Sequence, residues 1–161
     1  MRLVVADTGP INYLVLIGDI GLLPRLFESV LVPQAVYDEL ADAEAPDAVR
    51  TWIAQPPAWL SVRPNPTVLQ RDTAALPLDA GESAVIMLAI AVKADLVLMD
   101  DRDGVAAARR EGLVVTGTLG VLDLAARRGM IDLADAFARL RRPASITDRA
   151  CSKRCWRGSA G

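Results

Sequence analysis

Carboxylates that follow apolar runs are the side chains of this sequence best suited to do chemistry. The run "LVVADTG" reaches its first acid at Asp7, and the run "LVLMDD" ends in Asp100 and Asp101. Two further acids, Glu39 in "PQAVYDEL" and Glu82 in "DAGE", lie within or at the start of helical patterns. Oxygen-only ligation is what Mg²⁺ and Mn²⁺ select, with waters and substrate phosphate as the remaining ligands. The acids therefore predict a divalent-metal site that acts on phosphate groups.

Each acid also has a plainer interpretation. Asp7 can cap the helix that follows it, Asp79 and Glu82 have the spacing of a capping box, and "DDRDG" fits a polar turn with a helix cap. Glu39 can be an ordinary exposed helix acid. These alternatives stay open for each residue alone, but helix capping gives no reason for all of the acids to lie at one edge of one sheet.

Other chemistries lack their residues. The chain has no His, which excludes Ser-His and Cys-His nucleophiles and imidazole bases. Its two cysteines, Cys151 and Cys155, are too few for a disulfide framework or a structural zinc site. With Asp101 as position 1 of a calcium loop, "VA" and Gly112 occupy the positions that need a ligand, Gly and Glu. Gly-rich phosphate-binding motifs are also missing.

Strand-like and helix-like segments alternate along the chain, which predicts an α/β fold with a parallel sheet covered by helices. Thr118 is predicted to cap the helix after it, and "GESAVIMLAIAVKA", which is apolar on nearly every face, to pack centrally. Because parallel strands end at one edge, Asp7, Asp100 and Asp101 are expected together there. We predict strands near 2–7, 29–32, 60–63, 96–100 and 113–116, and helices near 10–17, 20–27, 33–43, 46–54, 80–93, 103–111, 118–128 and 132–141.

Length and charge set further expectations. The 161 residues suit one domain, predicted at 1–142, followed by a poorly ordered tail at 143–161 that has no apolar period. Residues 1–126 carry a net charge of −8 and residues 127–161 a net charge of +6, so the basic end is either a solvated surface or a nucleic-acid or partner surface. Without a signal peptide or a membrane-spanning run, a cytoplasmic protein is expected.

Four blocks of the sequence resemble the PIN-domain family, and more closely its branch related to VapC-type toxins of toxin-antitoxin pairs. The resemblance covers about 1–131 and implies a three-layer α/β/α sandwich on a five-stranded parallel sheet, with an Mg²⁺- or Mn²⁺-dependent ribonuclease site. The blocks are "VVADTGPINYLVLIG", "LFESVLVPQAVYDELA", "LDAGESAVIMLAIAVKADLVLMDDRDGVAAARREGL" and "VTGTLGVLDLAARRGMI".

The resemblance also implies roles for individual residues. The four acids of the family fall on Asp7, Glu39, Glu82 and Asp101, and Asp100 is adjacent and able to substitute as a metal ligand. The resemblance also implies a cognate antitoxin and a homodimer. Single-stranded RNA is the expected substrate, because its backbone can bend into a shallow cleft. The tail "ASITDRACSKRCWRGSAG" departs from the apolar C-terminal helix that is usual in that branch. Thr8, Asn12 and Arg102 are the expected substrate-positioning residues.

Two other functions remain. The same fold can serve as a catalytically silent interaction module whose acids only cap helices. A different Mg²⁺-dependent phosphoryl-transfer enzyme, such as a haloacid-dehalogenase-type phosphatase, needs D-x-D after the first strand, whereas Gly9 stands two residues beyond Asp7.

Overall fold

The computed structural model describes residues 2–66 and 80–141. Within those residues, five parallel strands form one sheet in the order β3-β2-β1-β4-β5. The register pairs Val5 with Leu31 and Val97, so β1 lies at the centre of the sheet. The strands are β1 (Leu3–Ala6), β2 (Ser29–Pro33), β3 (Leu60–Arg63), β4 (Leu96–Leu98) and β5 (Val115–Thr116).

Helices flank the sheet, as the predicted α/β fold requires. Strands β1 and β4 are apolar throughout because they lie in the interior of the sheet, where parallel strands are covered on both faces. The helices of the described residues are α1 (Thr8–Leu16), α2 (Leu22–Leu26), α3 (Gln34–Ala41), α4 (Asp47–Ala54), α5 (Ala80–Val92), α6 (Arg102–Arg110), α7 (Thr118–Arg127) and α8 (Leu133–Arg141).

Helix α5 has the central position that its composition predicts. It packs against β1, β2 and β4 and against the neighbouring helices α3 and α6. Its buried side chains include Val85, Ile86 and Leu88, which join the main core. A helix that is apolar on most of its surface needs such a site, because a helix at the periphery would leave part of that surface in water.

Helix α8 is fixed to the turn that follows α1 through Arg139. The guanidinium donates to the carbonyl oxygen of Ile17 over 2.7 Å and pairs with Asp19 at 3.0 Å and Asp135 at 3.2 Å. The Asp19 side chain is only 13% exposed. This cluster joins the last helix of the described chain to the turn that follows α1.

All of the predicted strands and helices are present, with ends that differ by a few residues. The helix predicted from residue 10 begins at Thr8, directly after Asp7. Gly112 follows α6 with a φ of +79°, a conformation that glycine adopts without strain. The predicted tail at 143–161 lies outside the described residues. No helix that the structure describes is long and apolar enough to cross a membrane.

Candidate active site

The candidate site lies where the strand order changes direction. The chain passes from the central strand β1 to β2 on one side, while β4 and β5 lie on the other. In open parallel sheets, the crevice outside the carboxyl ends of two such strands is the usual ligand site. Asp7 follows β1, and its backbone N–H donates to the carbonyl oxygen of Leu98 at the end of β4 over 2.8 Å. Asp100 and Asp101 follow β4 at the same edge, as predicted.

Asp7 occupies the N-cap position of α1 but does not act as a side-chain cap. Its backbone is extended, with φ −86° and ψ 169°, and its carboxylate accepts no cap hydrogen bond from the helix. The side chain is nevertheless buried, at 7% exposure. The capping interpretation therefore does not account for this carboxylate, which lies at the electropositive start of a helix.

Glu39 is joined to the residue that follows Asp7. The Thr8 hydroxyl donates to Glu39 Oε2 over 2.6 Å, across 31 positions of sequence. Glu39 is half-buried rather than fully exposed. Because a hydroxyl has one proton, Thr8 cannot donate to a phosphate oxygen while it holds Glu39. It can still accept a hydrogen bond from water, which narrows its predicted substrate-positioning role.

Asp101 and Asp100 are adjacent in sequence but have different partners. Asp101 is the N-cap of α6, and its Oδ2 accepts from the Gly104 backbone N–H over 3.0 Å. The cap predicted for "DDRDG" is thus present. Asp100 instead accepts two hydrogen bonds from Thr118, 2.7 Å from the backbone N–H to Oδ1 and 2.6 Å from the hydroxyl to Oδ2.

The prediction that Thr118 caps the helix after it, α7, is wrong. Gly117 occupies the N-cap position of α7, and Thr118 is its first helical residue. Its side chain faces Asp100, which receives both the hydroxyl and the first free N–H of the helix. The physical reason is a tertiary contact, because Asp100, which follows β4, accepts the hydrogen bonds that a local cap would have used.

Partial burial raises the pKa of the Asp100 carboxyl above its ordinary value of 3.8, and the two hydrogen bonds from Thr118 lower it by less. A positive charge near a partly buried carboxylate stabilises its charged form. Asp100 also lies beside the start of α1, since a Cβ on Gly9 would be 3.6 Å from its Oδ2. Asp100 is therefore the acid after β4 that reaches the β1 side of the crevice.

The remaining predicted site residues have less direct connections. Glu82 lies in the first turn of α5, which packs against α3, the helix of Glu39. Its proposed capping partner Asp79 lies outside the described residues. Asn12 is buried at 4% exposure, one turn along α1 from Thr8, and Arg102 is exposed at the start of α6.

Comparison with known families fits this geometry. A sequence model described as "DUF3368: PIN domain" matches residues 3–146. The chain belongs to the PIN-domain family. Searches of curated proteins and of solved structures gave no significant match. The parallel five-stranded sheet with flanking helices is consistent with a PIN domain.

The acids of this PIN domain fit a divalent cation by donor type. All five predicted ligands present carboxylate oxygen, which suits Mg²⁺ or Mn²⁺. Within residues 2–66 and 80–141, however, no three Asp, Glu or Cys side chains converge closely enough to form a metal-binding group. Glu39, Asp100 and Asp101 are each turned to a hydroxyl or N–H donor. Each carboxylate retains further lone pairs, so these bonds do not exhaust its capacity as a ligand.

Sequence reasoning missed Thr118 and Gly117 as parts of this site. Both lie after β5, at the same edge as the acids. The signal was available, because "GT" follows the last strand "VVT" just as Asp7 follows β1, at the same edge of a parallel sheet. It was overlooked because neither residue is a metal ligand or an acid.

Proposed function

We propose that this PIN domain is a divalent-metal-dependent ribonuclease that hydrolyses phosphodiester bonds of single-stranded RNA. PIN domains are typically metal-dependent nucleases. The observation that supports the proposal most is that buried Asp7 and Asp100 both follow the carboxyl ends of β1 and β4, which are paired neighbours in the sheet. Glu39 is bonded to Thr8, the residue that follows Asp7.

The proposed ligands are Asp7, Glu39, Glu82, Asp100 and Asp101. Asp100 takes the principal role of the two acids after β4, because it lies beside Gly9 at the start of α1, whereas Asp101 lies beside Gly104 in α6. When bound, an Mg²⁺ or Mn²⁺ ion would supply Lewis acidity that activates water and offsets the charge of the phosphate in the transition state.

The residues of the chain itself have supporting tasks. Thr8 keeps Glu39 in place and offers its oxygen to a water. Arg102, exposed at the start of α6, is the proposed contact to a phosphate of the RNA backbone, and Arg109 on the same helix is a second candidate. Asn12 is buried, so its proposed contribution is to the position of α1 rather than to a direct substrate contact.

The charge distribution favours a metal-dependent substrate interaction. Residues 1–126 carry a net charge of −8, so the acidic site repels bare phosphate until a cation is present. Single-stranded RNA suits the site, because its backbone can bend into a shallow cleft. A role as the toxin of a toxin-antitoxin pair, a cognate antitoxin and a homodimer are further parts of the proposal that rest on the family resemblance.

The proposal can be tested with purified protein and fluorescent single-stranded RNA. Cleavage should require Mg²⁺ or Mn²⁺, stop in EDTA, and fall by at least about 10²-fold in Asp7→Asn and Asp100→Asn. Asp123→Asn is the matched control, because Asp123 is a partly exposed acid on α7 that pairs with Arg127. Cleavage that continues in EDTA, or that survives both site substitutions, would refute the proposal.

A catalytically silent interaction module is the second candidate. It is favoured by the cap that Asp101 provides for α6 and by the lack of a converged three-acid group in the described residues. Calorimetric titration with Mn²⁺ separates the two functions. A nuclease should bind Mn²⁺ at a specific stoichiometry, and that binding should be lost in Asp100→Asn, whereas a silent module should bind none specifically.

A further inference from the structure

The Asp100 carboxylate is held at both oxygens by one residue. The Thr118 backbone N–H donates to Oδ1 over 2.7 Å, and its hydroxyl donates to Oδ2 over 2.6 Å. One bond would fix only the position of one oxygen, whereas two bonds to different oxygens also fix the rotation of the carboxylate plane. Thr118 is 4% exposed, so water does not readily replace either donor.

Gly117, the residue before Thr118, has no side chain, and the Asp100 carboxylate occupies the space where one would lie. Gly117 has φ −102° and ψ −172°, an extended backbone that any residue adopts, so conformation does not require glycine there. A Cβ on Gly117, however, would lie closer than 3.0 Å to Asp100 Oδ1, a separation that real Cβ atoms essentially never show. The absent side chain at 117 is therefore explained by Asp100.

Capping of α7 does not require both hydrogen bonds from Thr118 to Asp100. The N–H of Thr118 is one of the first four of α7, which have no partner within the helix, and one carboxylate oxygen satisfies it. The hydroxyl bond to the second oxygen adds nothing to that cap. Its effect falls on the orientation of Asp100, the acid that lies beside Gly9 at the start of α1.

We propose that Thr118 is a positioning residue that orients the Asp100 carboxylate for a divalent cation, in the space that Gly117 leaves. The inference rests on the proposed function, because it takes Asp100 to be a metal ligand. Groups that hydrogen-bond to metal ligands typically contribute about 10–100-fold to metal affinity. The Thr118 hydroxyl should contribute within that range without touching the RNA.

The test is Mn²⁺ calorimetry on the full chain, with wild type, Thr118→Val, Thr118→Ala and Thr118→Ser. Val and Ala remove the hydroxyl and keep the backbone donor, and both should lower Mn²⁺ affinity about 10–100-fold. Ser keeps the hydroxyl and should stay within about 3-fold of wild type. Thr116→Val is the matched control, since it makes the same chemical change two residues away, where the hydroxyl does not contact Asp100.

Thermal unfolding of each variant without metal shows whether it is folded. If Thr118→Val does not fold, the comparison is made with Thr118→Ala. Wild-type affinity in the folded Val or Ala variant would overturn the positioning role alone. Loss of affinity in Thr118→Ser equal to that in Thr118→Ala would overturn it too, because the hydroxyl would then not be the cause. No Mn²⁺ binding by wild type would overturn the proposed function and, with it, this inference.

Discussion

Replacing Gly117 with alanine should disturb the site by pushing one carboxylate out of place. The new Cβ would overlap Asp100 Oδ1, so that oxygen must withdraw by roughly 1 Å to reach ordinary contact at 3.4–4 Å. The bond from the Thr118 N–H, now 2.7 Å, would then exceed hydrogen-bonding distance. Loss of a hydrogen bond to a charged group costs about 1.5–3 kcal/mol.

For a domain of this size, about 2 kcal/mol corresponds to a fall in Tm of about 4–8 °C. Thermal unfolding followed by circular dichroism measures it, and Gly21→Ala is the control, since a Cβ on Gly21 would meet nothing within 4 Å. A double-mutant cycle makes the cause explicit. In an Asp100→Ala background the carboxylate is gone, so Gly117→Ala should cost almost nothing. An equal cost in both backgrounds would refute the steric explanation.

Three further predictions concern stability. Because the folded-state pKa of Asp100 is raised, this carboxyl favours folding below pH 3.8 and loses that contribution as pH rises through the raised pKa. In EDTA, Asp100→Asn should therefore unfold at a higher temperature than wild type at pH 7, with a smaller difference at pH 3. Unfolding in urea should show a loss of about 1–2 kcal/mol for Thr8→Val, which removes the bond to Glu39, and much less for Thr8→Ser. Arg139→Leu should cost about 1–3 kcal/mol by the same measurement, because it leaves the poorly exposed Asp19 without its cation; an unchanged midpoint would contradict that role.

The sheet and its acidic edge could be predicted because their signals are local. Parallel strands covered on both faces appear in the sequence as short apolar runs, so "LVVA" and "LVL" marked β1 and β4 directly. Parallel strands share a carboxyl edge, so Asp7 and Asp100 had to lie there together. The cap that Asp101 forms was also accessible, because its partner Gly104 is three residues away.

The details of the site could not be predicted because they depend on contacts between distant segments. Thr8 and Glu39 are 31 positions apart, and Asp100 and Thr118 are 18 apart. Local sequence rules predict that Thr118 caps a helix. In the structure its hydroxyl instead donates to Asp100, which follows β4. The same contact distinguishes two adjacent acids, since Asp101 caps α6 and Asp100 accepts hydrogen bonds from Thr118.

The most direct test of the central claim is a crystal of the protein soaked in Mn²⁺ and measured near the manganese absorption edge. The proposed site predicts an anomalous peak in the crevice between Asp7 and Asp100, with carboxylate oxygens about 2.1 Å from the ion, as in octahedral sites of this type. The peak should be absent from crystals of Asp100→Asn. Well-diffracting crystals with no peak between these two carboxylates, or with a peak that persists unchanged in Asp100→Asn, would contradict the claim that the fold joins these acids around one cation.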